Sequence, residues 1–374
     1  MEKLQSVLLD LLKAGLWDRK PSLSVSLTNE EWNALYFACI KQAVLGVVYD
    51  SIRRLPDEQL PDSDLMMRWS RYVRNMEQTY KEHLKTINYL CIRYMTVSDL
   101  SPVIFKGLSV AYYYPRPNHR VIGDIDLYFG GIEASNKANN LMLQWGIPVQ
   151  GNGSETIFQL NQVVVENHGE LITSHNPFIS KREKEKLAKQ LSGGSGYRTV
   201  KLDSSNLKVL APHQCLLLLL THSLKHLLNE GIGLRQLSDI ALLLQGEKGN
   251  FHGKELQSML KGWGILKYTN LVFSFCVNYL GLSEESLPYP FDIQKYKPHK
   301  LLEEIWKSGN FGFWDARMLK RQKKGDKVFT AKRMINNSLV FFRYAPGEAI
   351  SAPMQLITLR LKEFLLGNKK HKYE

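Results

Sequence analysis

Apolar residues along this chain change their spacing twice, which divides the sequence into three parts. In residues 1–100 the spacing is helical and predicts helices over Glu2–Ala14, after Thr28, and over about Asp62–Met95. Thr28 opens a Thr-x-x-Glu capping box, the pattern that marks a helix N-terminus. In the long helix, the apolar stripe from Met66 to Cys91 indicates a face that packs on a core or on a partner chain.

Residues 101–210 carry short β-branched and apolar runs between turn residues, which is typical of strands. The pattern predicts strands at Val103–Phe105, within Val121–Phe129, and at Glu155–Leu160, Val163–His168, Arg198–Leu202 and Leu207–Leu210, with helices at Gly107–Tyr114, Ala134–Trp145 and Ser180–Leu191. From residue 211 the spacing is helical again, beginning with Pro212–Asn229. We therefore predict an α+β fold: a small mixed β-sheet core with helices, 101–210, embedded between an N-terminal helical region, 1–100, and a C-terminal helical region, 211–374.

Two aspartates, Asp124 and Asp126, interrupt the apolar run Val121–Phe129. Because side chains alternate along a strand, both carboxylates face the same way. Two like charges on a half-buried face repel each other and are costly to desolvate, unless a cation neutralises them or the face opens into a cleft. We interpret the pair as a divalent-metal site, although exposed strand ends, turns and ion-pair networks also produce Asp-x-Asp pairs.

Two neighbouring segments favour phosphate chemistry at this pair. Upstream, the Lys106-Gly107 turn opens a predicted helix, and the backbone N–H groups at a helix N-terminus suit phosphate. Downstream, the predicted strand Val163–His168 places Glu166 and His168 on one face. A third carboxylate on a neighbouring strand is what a two-metal phosphoryl-transfer site requires.

Together these residues resemble the uncharacterised nucleotidyltransferase family within the polymerase-beta-like superfamily. The motif residues are Lys106-Gly107-x-Ser109, Arg120, Gly123-Asp124-Ile-Asp126-Leu127 and Glu166. The resemblance is specific over Val103–His168 and weaker over the helices at His222–Leu244, and none is recognised before residue 100 or after residue 265. One position departs from the superfamily pattern, which has Gly or Ser directly after the first glycine where this chain has Leu108. We expect Ser109 to contact phosphate in its place.

The resemblance implies a metal-dependent nucleotidyltransferase, which moves an NMP from ATP or another NTP to a hydroxyl acceptor and releases pyrophosphate. It implies that two Mg²⁺ (or Mn²⁺) ions are held by the catalytic carboxylates Asp124, Asp126 and Glu166. It also implies that the nucleotide is bound by Lys106, Gly107, Ser109, Arg120 and Gly123. The sequence does not select the acceptor, which ranges from a small molecule or saccharide to a protein or RNA, and it does not give the oligomeric state.

Further candidates for the acceptor side of the cleft are His168, which either orients Glu166 or contacts the acceptor, and four residues of the C-terminal region. His222 and His226 are four residues apart and share a helix face, but no third ligand stands at the offset of a zinc site. We interpret them as a polar helix face that lines the cleft. Arg235 and Asp239 have the same spacing, so they either pair with each other or face the acceptor.

The net charge of +13 is concentrated near the C-terminus, where residues 291–374 hold 18 Lys and Arg against 8 Asp and Glu. Much of this charge lies in Arg317–Arg333, near the aromatic residues Phe311, Phe313, Trp314 and Phe329. Such a segment either binds a polyanion such as RNA or an anionic membrane, or is a solvated helix and loop whose aromatics pack on the core. We favour the second interpretation.

Composition predicts an intracellular globular protein, since 44% of the 374 residues are hydrophobic and can fill a sizeable core. The longest apolar run, Cys215–Leu220, is far shorter than the roughly 20 residues that span a bilayer, so we expect no membrane span. The amphipathic start of the chain is not typical of a signal peptide. Single, scattered cysteines indicate buried thiols in a reducing compartment: Cys39, Cys91, Cys215 and Cys276. We therefore expect a cytoplasmic protein.

Three alternative functions stay open. A sugar-nucleotide glycosyltransferase also uses an Asp-x-Asp motif, but usually after a long nucleotide-binding domain, whereas a mostly helical segment precedes the pair here. A catalytically inactive protein that binds a nucleotide or a protein partner follows if Leu108 disables the phosphate cradle. A nucleic-acid-binding protein follows if the basic C-terminal segment binds RNA.

Overall fold

The N-terminal region is helical, as its apolar spacing predicts. The computed structural model describes residues 2–152, 154–172, 174, 176–312 and 327–365. The first helices are α1 (Glu2–Leu16), α2 (Asn29–Gln42), α3 (Leu45–Ile52) and α4 (Ser63–Ser98). The capping box at the start of α2 is formed: Thr28 Oγ1 accepts from the Glu31 N–H, and the Glu31 carboxylate accepts from the Thr28 N–H.

Within the described residues, the middle of the chain forms a seven-stranded mixed sheet. Its strands are β1 (Val103–Phe105), β2 (Ile125–Tyr128), β3 (Gln150–Asn152), β4 (Glu155–Leu160), β5 (Val163–His168), β6 (Tyr197–Leu202) and β7 (Ser205–Leu210). Their order is β3-β4-β5-β2-β1-β7-β6. Strand β2 runs parallel to β5, and β1 runs parallel to β7, while the other neighbours are antiparallel. The α+β fold class predicted from the sequence is confirmed.

The remaining helices lie between and after the strands. They are α5 (Leu108–Ala111), α6 (Ile132–Gln144), α7 (Lys181–Ser192), α8 (Pro212–Asn229), α9 (Leu234–Gly246), α10 (Gly253–Gly262), α11 (Leu266–Leu280), α12 (His299–Ser308), α13 (Lys327–Phe341) and α14 (Pro346–Leu365). The helix predicted over Gly107–Tyr114 is wrong in length, because α5 is a single turn and ends at Ala111. No described helix is long and apolar enough to cross a membrane.

The sheet separates two apolar cores, and strand alternation decides which side chain enters which core. Ile104 of β1 and Leu127 of β2 pack with Ile87 of α4 on one face. Phe105 and Tyr128, one position further along, belong to the larger core that includes α8. Asp126 therefore lies on the α8 side of the sheet, one residue from Leu127 and two from Tyr128.

A buried polar cluster ties the segment before β2 to α3 and α4. His119 Nδ1 lies 3.0 Å from the Asp50 carboxylate of α3, and its Nε2 lies 3.1 Å from Glu77 Oε1 of α4. Arg116 also forms an ion pair with Asp50. Gly46 lets the two segments approach closely, since a Cβ there would lie 2.4 Å from the His119 carbonyl oxygen. The cluster thus fixes the chain that leads into the Asp124–Asp126 motif.

The predicted basic segment Arg317–Arg333 lies mostly outside the described residues. Arg333 itself is described and is 6% exposed. Its Nη2 donates a hydrogen bond of 2.8 Å to the Asn229 carbonyl oxygen at the end of α8. This arginine therefore contributes to helix packing and not to an exposed basic surface.

Candidate active site

The turn after β1 has a backbone that requires glycine. Lys106 has φ of 55°, and Gly107 has φ of 38° and ψ of −112°, a combination that residues with a Cβ rarely adopt. The turn lets the Ser109 N–H donate a 2.7 Å hydrogen bond to the Lys106 carbonyl oxygen. Ser109 is 3% exposed and is not among the residues that line the cavity described below.

Three carboxylates meet where β2 and β5 run side by side. Asp126 of β2 is the register partner of Glu166 of β5. Asp124 directly precedes β2 and is less buried than Asp126. His168 lies two residues beyond Glu166 on the same face of β5, opposite Glu155 of β4. The predicted third carboxylate is thus next to the Asp-x-Asp pair.

These side chains line a cavity of about 500 Å³ between the sheet and helices α8 and α9. Every site residue predicted from the sequence lies on its wall except Ser109: Lys106, Gly107, Arg120, Gly123, Asp124, Asp126, Glu166, His168, His222, His226, Arg235 and Asp239. The cavity is therefore acidic on the strand side and rich in cationic and imidazole groups on the helix side.

Lys106 neutralises part of the acidic cluster. Its Nζ donates a 2.8 Å hydrogen bond to Asp126 Oδ1, and the Asp126 side chain is 4% exposed. Burial alone would lower the pKa of Lys106, but the charges of Asp126, Asp124 and Glu166 outweigh it and raise this pKa. Burial would raise the pKa of Asp126, but Lys106 and then His168 lower it below its usual range.

Asp124 is the carboxylate of this cluster whose pKa is raised. Burial raises its pKa, and the negative charges of Asp126 and Glu166 raise it further. Lys106 opposes this shift only weakly. Three carboxylates with one ammonium leave net negative charge in the cluster, which favours the binding of a cation.

His168 also belongs to this cluster. Its Nε2 lies 3.0 Å from Asp126 Oδ1 and 3.4 Å from Glu166 Oε2. Burial would lower the pKa of His168, but contacts with these two carboxylates raise it. One ligand atom from each of the three residues lies within 4.8 Å of the others, a spacing that can hold a metal ion. The structure places His168 beside the carboxylates, and its predicted contact with the acceptor stays a prediction.

Arg120 is held in a closed ion pair with Asp239 of α9. Its Nε donates to Asp239 Oδ1 at 2.8 Å, and its Nη2 donates to Oδ2 at 2.7 Å. Its Nη1 donates to the Val121 carbonyl oxygen at 3.1 Å, and the Tyr114 hydroxyl donates to Asp239 Oδ1 at 2.7 Å. Because Asp239 is paired with Arg120, the alternative pairing with Arg235 is not formed.

Arg235 lines the cavity without the carboxylate partner that Arg120 has. Its Nη1 donates to the Val121 carbonyl oxygen at 2.9 Å, and its guanidinium lies 5.5 Å from the centroid of the Phe311 ring. Its Nε is buried without a hydrogen-bond partner, and no carboxylate of the described residues lies within 4.0 Å of its nitrogens. Burial, and next the charge of Arg120, lower the pKa of Arg235 to about 10. An anion in the cavity would relieve both effects.

His222 and His226 form a contact with each other on the α8 side of the cavity. Their Nε2 atoms are 3.0 Å apart, and His226 Nδ1 lies 2.8 Å from Glu230 Oε2. Burial, and next the charge of Lys106, hold the pKa of His222 well below its usual value. In the described part of the chain, these two residues are not in the group with metal-ligand spacing. The polar helix face expected from the sequence therefore lines the cavity.

Sequence analysis missed two residues that support the cluster. His83 of α4 contacts the Gly123 carbonyl oxygen with Nε2 at 2.7 Å and the Thr79 carbonyl oxygen with Nδ1 at 2.8 Å. Its signal was a lone polar ring within the apolar stripe of α4. Glu155 faces His168 across β4 and β5, and only the strand register reveals that contact.

The family of the chain follows from its sequence match. The sequence model of the uncharacterised nucleotidyltransferase family matches residues 28–281. The chain belongs to this family. The match confirms the resemblance seen in the motifs. It also places α2, α3 and α4 of this nucleotidyltransferase family member inside the family region, beyond the motif residues, which begin at Lys106.

Comparison with solved structures gives a weaker likeness. The chain is similar to a crystal structure of an antigenic nucleotidyltransferase-like protein from Paracoccidioides brasiliensis, with 15% sequence identity, a TM-score of 0.34, and coverage of 54% of this chain and 94% of that chain. No curated protein sequence matches this nucleotidyltransferase family member.

Proposed function

We propose that this protein transfers an NMP from an NTP to a hydroxyl or similar acceptor, with a divalent metal ion and release of pyrophosphate. Membership of a nucleotidyltransferase family supports nucleotidyl transfer in general. The observation that carries the specific proposal is the register pair Asp126 and Glu166, which faces a cavity of about 500 Å³ lined by both carboxylates and cations.

The carboxylates would hold the metal. Asp124, Asp126 and Glu166 offer oxygen donors, which Mg²⁺ and Mn²⁺ accept, and the raised pKa of Asp124 is the sign of an under-neutralised acidic cluster. A bound divalent ion neutralises charge on the phosphates and lowers the pKa of an acceptor hydroxyl.

The cations of the cavity would bind the triphosphate. Lys106 and Arg235 both face the cavity, and a buried guanidinium without a carboxylate partner is well suited to phosphate oxygens. Arg120 is assigned a positioning role, because its guanidinium is occupied by Asp239. Ser109 has no role in this proposal, because it is buried and does not line the cavity.

The transfer step follows from this placement. The acceptor oxygen attacks the α-phosphorus, a new oxygen–phosphorus bond forms, and the bond from the α-phosphorus to the bridging oxygen of pyrophosphate breaks. Glu166, whose side chain is 18% exposed at the cavity, accepts the proton of the acceptor hydroxyl and returns it to solvent. His168, His222 and His226 remain candidates for contacts with the acceptor.

The test uses the full chain with each of four NTPs labelled at the α-phosphate, Mg²⁺ or Mn²⁺, and a mixture of small molecules, saccharides, proteins and RNA as acceptors. We expect label transfer and pyrophosphate release with the wild type. Asp126→Asn lowers both by about a hundredfold or more, since one electrostatic contact at the reacting centre contributes roughly 10²–10³ in rate. The matched control Glu133→Gln, an exposed carboxylate on α6, keeps wild-type activity.

Other outcomes point to other functions. NTP binding without transfer or pyrophosphate release by the wild type would favour a catalytically inactive nucleotide-binding protein. Salt-sensitive RNA binding that survives Asp124→Asn would favour a nucleic-acid-binding protein. An Asp126→Asn variant with full activity would contradict the proposed mechanism directly.

A further inference from the structure

His168 presents to the carboxylate cluster a buried nitrogen that forms no aligned hydrogen bond. The residue is 8% exposed, and its Nε2 is buried without a hydrogen-bond partner in the described residues. The atom lies 3.0 Å from Asp126 Oδ1 and 3.4 Å from Glu166 Oε2, but neither contact has the alignment of a hydrogen bond. A buried polar atom without a partner is costly in a folded protein, so its position requires an explanation.

Packing fixes the direction of the His168 ring. The ring meets Phe105 edge to face, with 4.9 Å between centroids and 72° between planes. Its other nitrogen, Nδ1, points toward Glu155 and lies 3.9 Å from Oε2 of that residue. Glu155 and His168 are register partners on β4 and β5, so this direction is set by the sheet. When one ring nitrogen of a histidine binds a metal ion, the other usually donates its N–H to a carboxylate or another acceptor, and Glu155 stands in that position for Nδ1 of His168.

We propose that His168 Nε2 binds the metal ion directly, together with Asp126 and Glu166, and that the site therefore prefers a first-row transition ion such as Mn²⁺ to Mg²⁺. This inference rests on the proposed function, which requires a metal at these carboxylates. Mg²⁺ favours oxygen donors and dehydrates reluctantly, whereas imidazole suits the transition ions. One nitrogen among two carboxylates thus shifts the selectivity of the site away from Mg²⁺.

The same geometry implies that Lys106 changes its partner when the metal ion binds. Asp126 Oδ1 is contacted by both Lys106 Nζ, at 2.8 Å, and His168 Nε2, at 3.0 Å. An ion held by Asp126, Glu166 and His168 displaces the ammonium from this oxygen by charge repulsion. Lys106 is then available to the phosphates of the NTP.

The experiment measures metal binding on the full chain, without nucleotide and without turnover. Mn²⁺ is titrated by electron paramagnetic resonance, and Mg²⁺ by its competition with Mn²⁺. Pulsed measurements on the Mn²⁺-loaded protein then detect coupling to ¹⁴N, which reports a directly bound imidazole. We expect ¹⁴N coupling in the wild type and at least about tenfold tighter binding of Mn²⁺ than of Mg²⁺.

Two variants separate His168 from its surroundings. We expect His168→Gln to lose the ¹⁴N coupling and to bind Mn²⁺ about tenfold more weakly, while its Mg²⁺ affinity changes little. The matched control is His222→Gln, since His222 lines the same cavity on α8 but is outside the metal-spaced group. This control should keep both the coupling and the preference for Mn²⁺.

The wild-type measurement decides the inference even if a variant does not fold. Mn²⁺ bound without ¹⁴N coupling, or with an affinity equal to that of Mg²⁺, would overturn it while the proposed function stands. Coupling in a protein that transfers no nucleotide would keep the metal site and overturn the proposed function. A protein that binds neither ion, with or without NTP, would overturn both.

Discussion

Lys106 Nζ and Asp126 Oδ1 are joined by a 2.8 Å hydrogen bond at the centre of the carboxylate cluster. The Asp126 side chain is 4% exposed, so the pair is shielded from water on the aspartate side. An ammonium thus lies where a metal ion would bind the same oxygen. The contact links the turn after β1, the proposed nucleotide-binding turn, to β2, the strand that carries the proposed metal ligand Asp126.

Removal of this ammonium should separate metal affinity from nucleotide affinity. We expect Lys106→Met to bind Mn²⁺ several-fold more tightly, because a competing positive charge is lost, and to bind NTP about tenfold more weakly, because a charged phosphate contact is lost. Paramagnetic titration and calorimetry measure the two affinities. Lys137→Met, an exposed lysine on α6, is the control and should change neither. Parallel losses of both affinities would contradict the competition.

Asp124→Asn should stabilise the metal-free protein while it abolishes turnover. The folded pKa of Asp124 is raised above its usual value of 3.8, so the ionised carboxylate costs stability at neutral pH. This cost shrinks as the pH falls through the folded pKa and is absent below the unfolded pKa. We expect a melting temperature about 1 to 3 °C higher near pH 7.5 in a chelator, with no gain near pH 3.5. Asp57→Asn, in an exposed short 3₁₀ helix, is the control. An equal gain at both pH values would refute the electrostatic cause.

His119 should make stability depend on pH. Burial lowers its pKa, but Asp50 and Glu77 outweigh this and raise it above the usual value of 6.5. The stabilisation is therefore complete below the unfolded pKa and is lost as the pH rises through the folded pKa. In urea unfolding, His119→Gln should lose more stability relative to wild type at about pH 5.5 than at about pH 8.5. The exposed His299→Gln control should show a small difference at both values, and a larger loss at high pH would invert the sign and disprove the linkage.

The Arg120–Asp239 pair should be a stability determinant. Asp239→Asn leaves the buried Arg120 guanidinium without its carboxylate, and the loss of one partner from a buried pair costs about 3 to 5 kcal/mol of unfolding free energy. The partly exposed pair Arg54 and Asp18 gives the control, because such pairs contribute only about 0 to 1 kcal/mol. Chemical denaturation of Asp239→Asn and Asp18→Asn measures both. Equal effects would mean that the buried pair has no special role.

Arg235 should contribute to NTP binding and little to stability, in contrast to the Arg120–Asp239 pair. Since this guanidinium is buried without a carboxylate partner, Arg235→Met should change the unfolding free energy by less than about 1 kcal/mol, while it weakens NTP binding by roughly 10- to 100-fold. Denaturation and calorimetry on the same samples test this. Arg182→Met, an exposed arginine on α7, should leave both quantities unchanged. Unchanged NTP affinity in Arg235→Met would remove this residue from the phosphate site.

Several features of the fold were predictable because they depend on local periodicity. The strands Glu155–Leu160 and Val163–His168 and the helix Pro212–Asn229 have the predicted bounds. Alternation within single strands also predicted that Glu166 and His168 share a face. The length of helix α5 was overestimated, because Tyr112 and Tyr113 continue a helical composition after Ala111. The partners of the Tyr113 hydroxyl, Arg198 and Glu247, are distant in the sequence, so local spacing could not predict them.

The sequence by itself determined the elements and the residue types of the site, because side-chain direction within a strand or helix is a local property. Only the tertiary structure decided their partners. The strand order puts β5 beside β2 and so brings Glu166 and His168 to Asp126, about 40 residues apart in the chain. The position of α9 pairs Asp239 with Arg120 and places Arg235 on the cavity wall. Such pairings depend on strand register and on the burial of charges between distant segments, which no local spacing encodes.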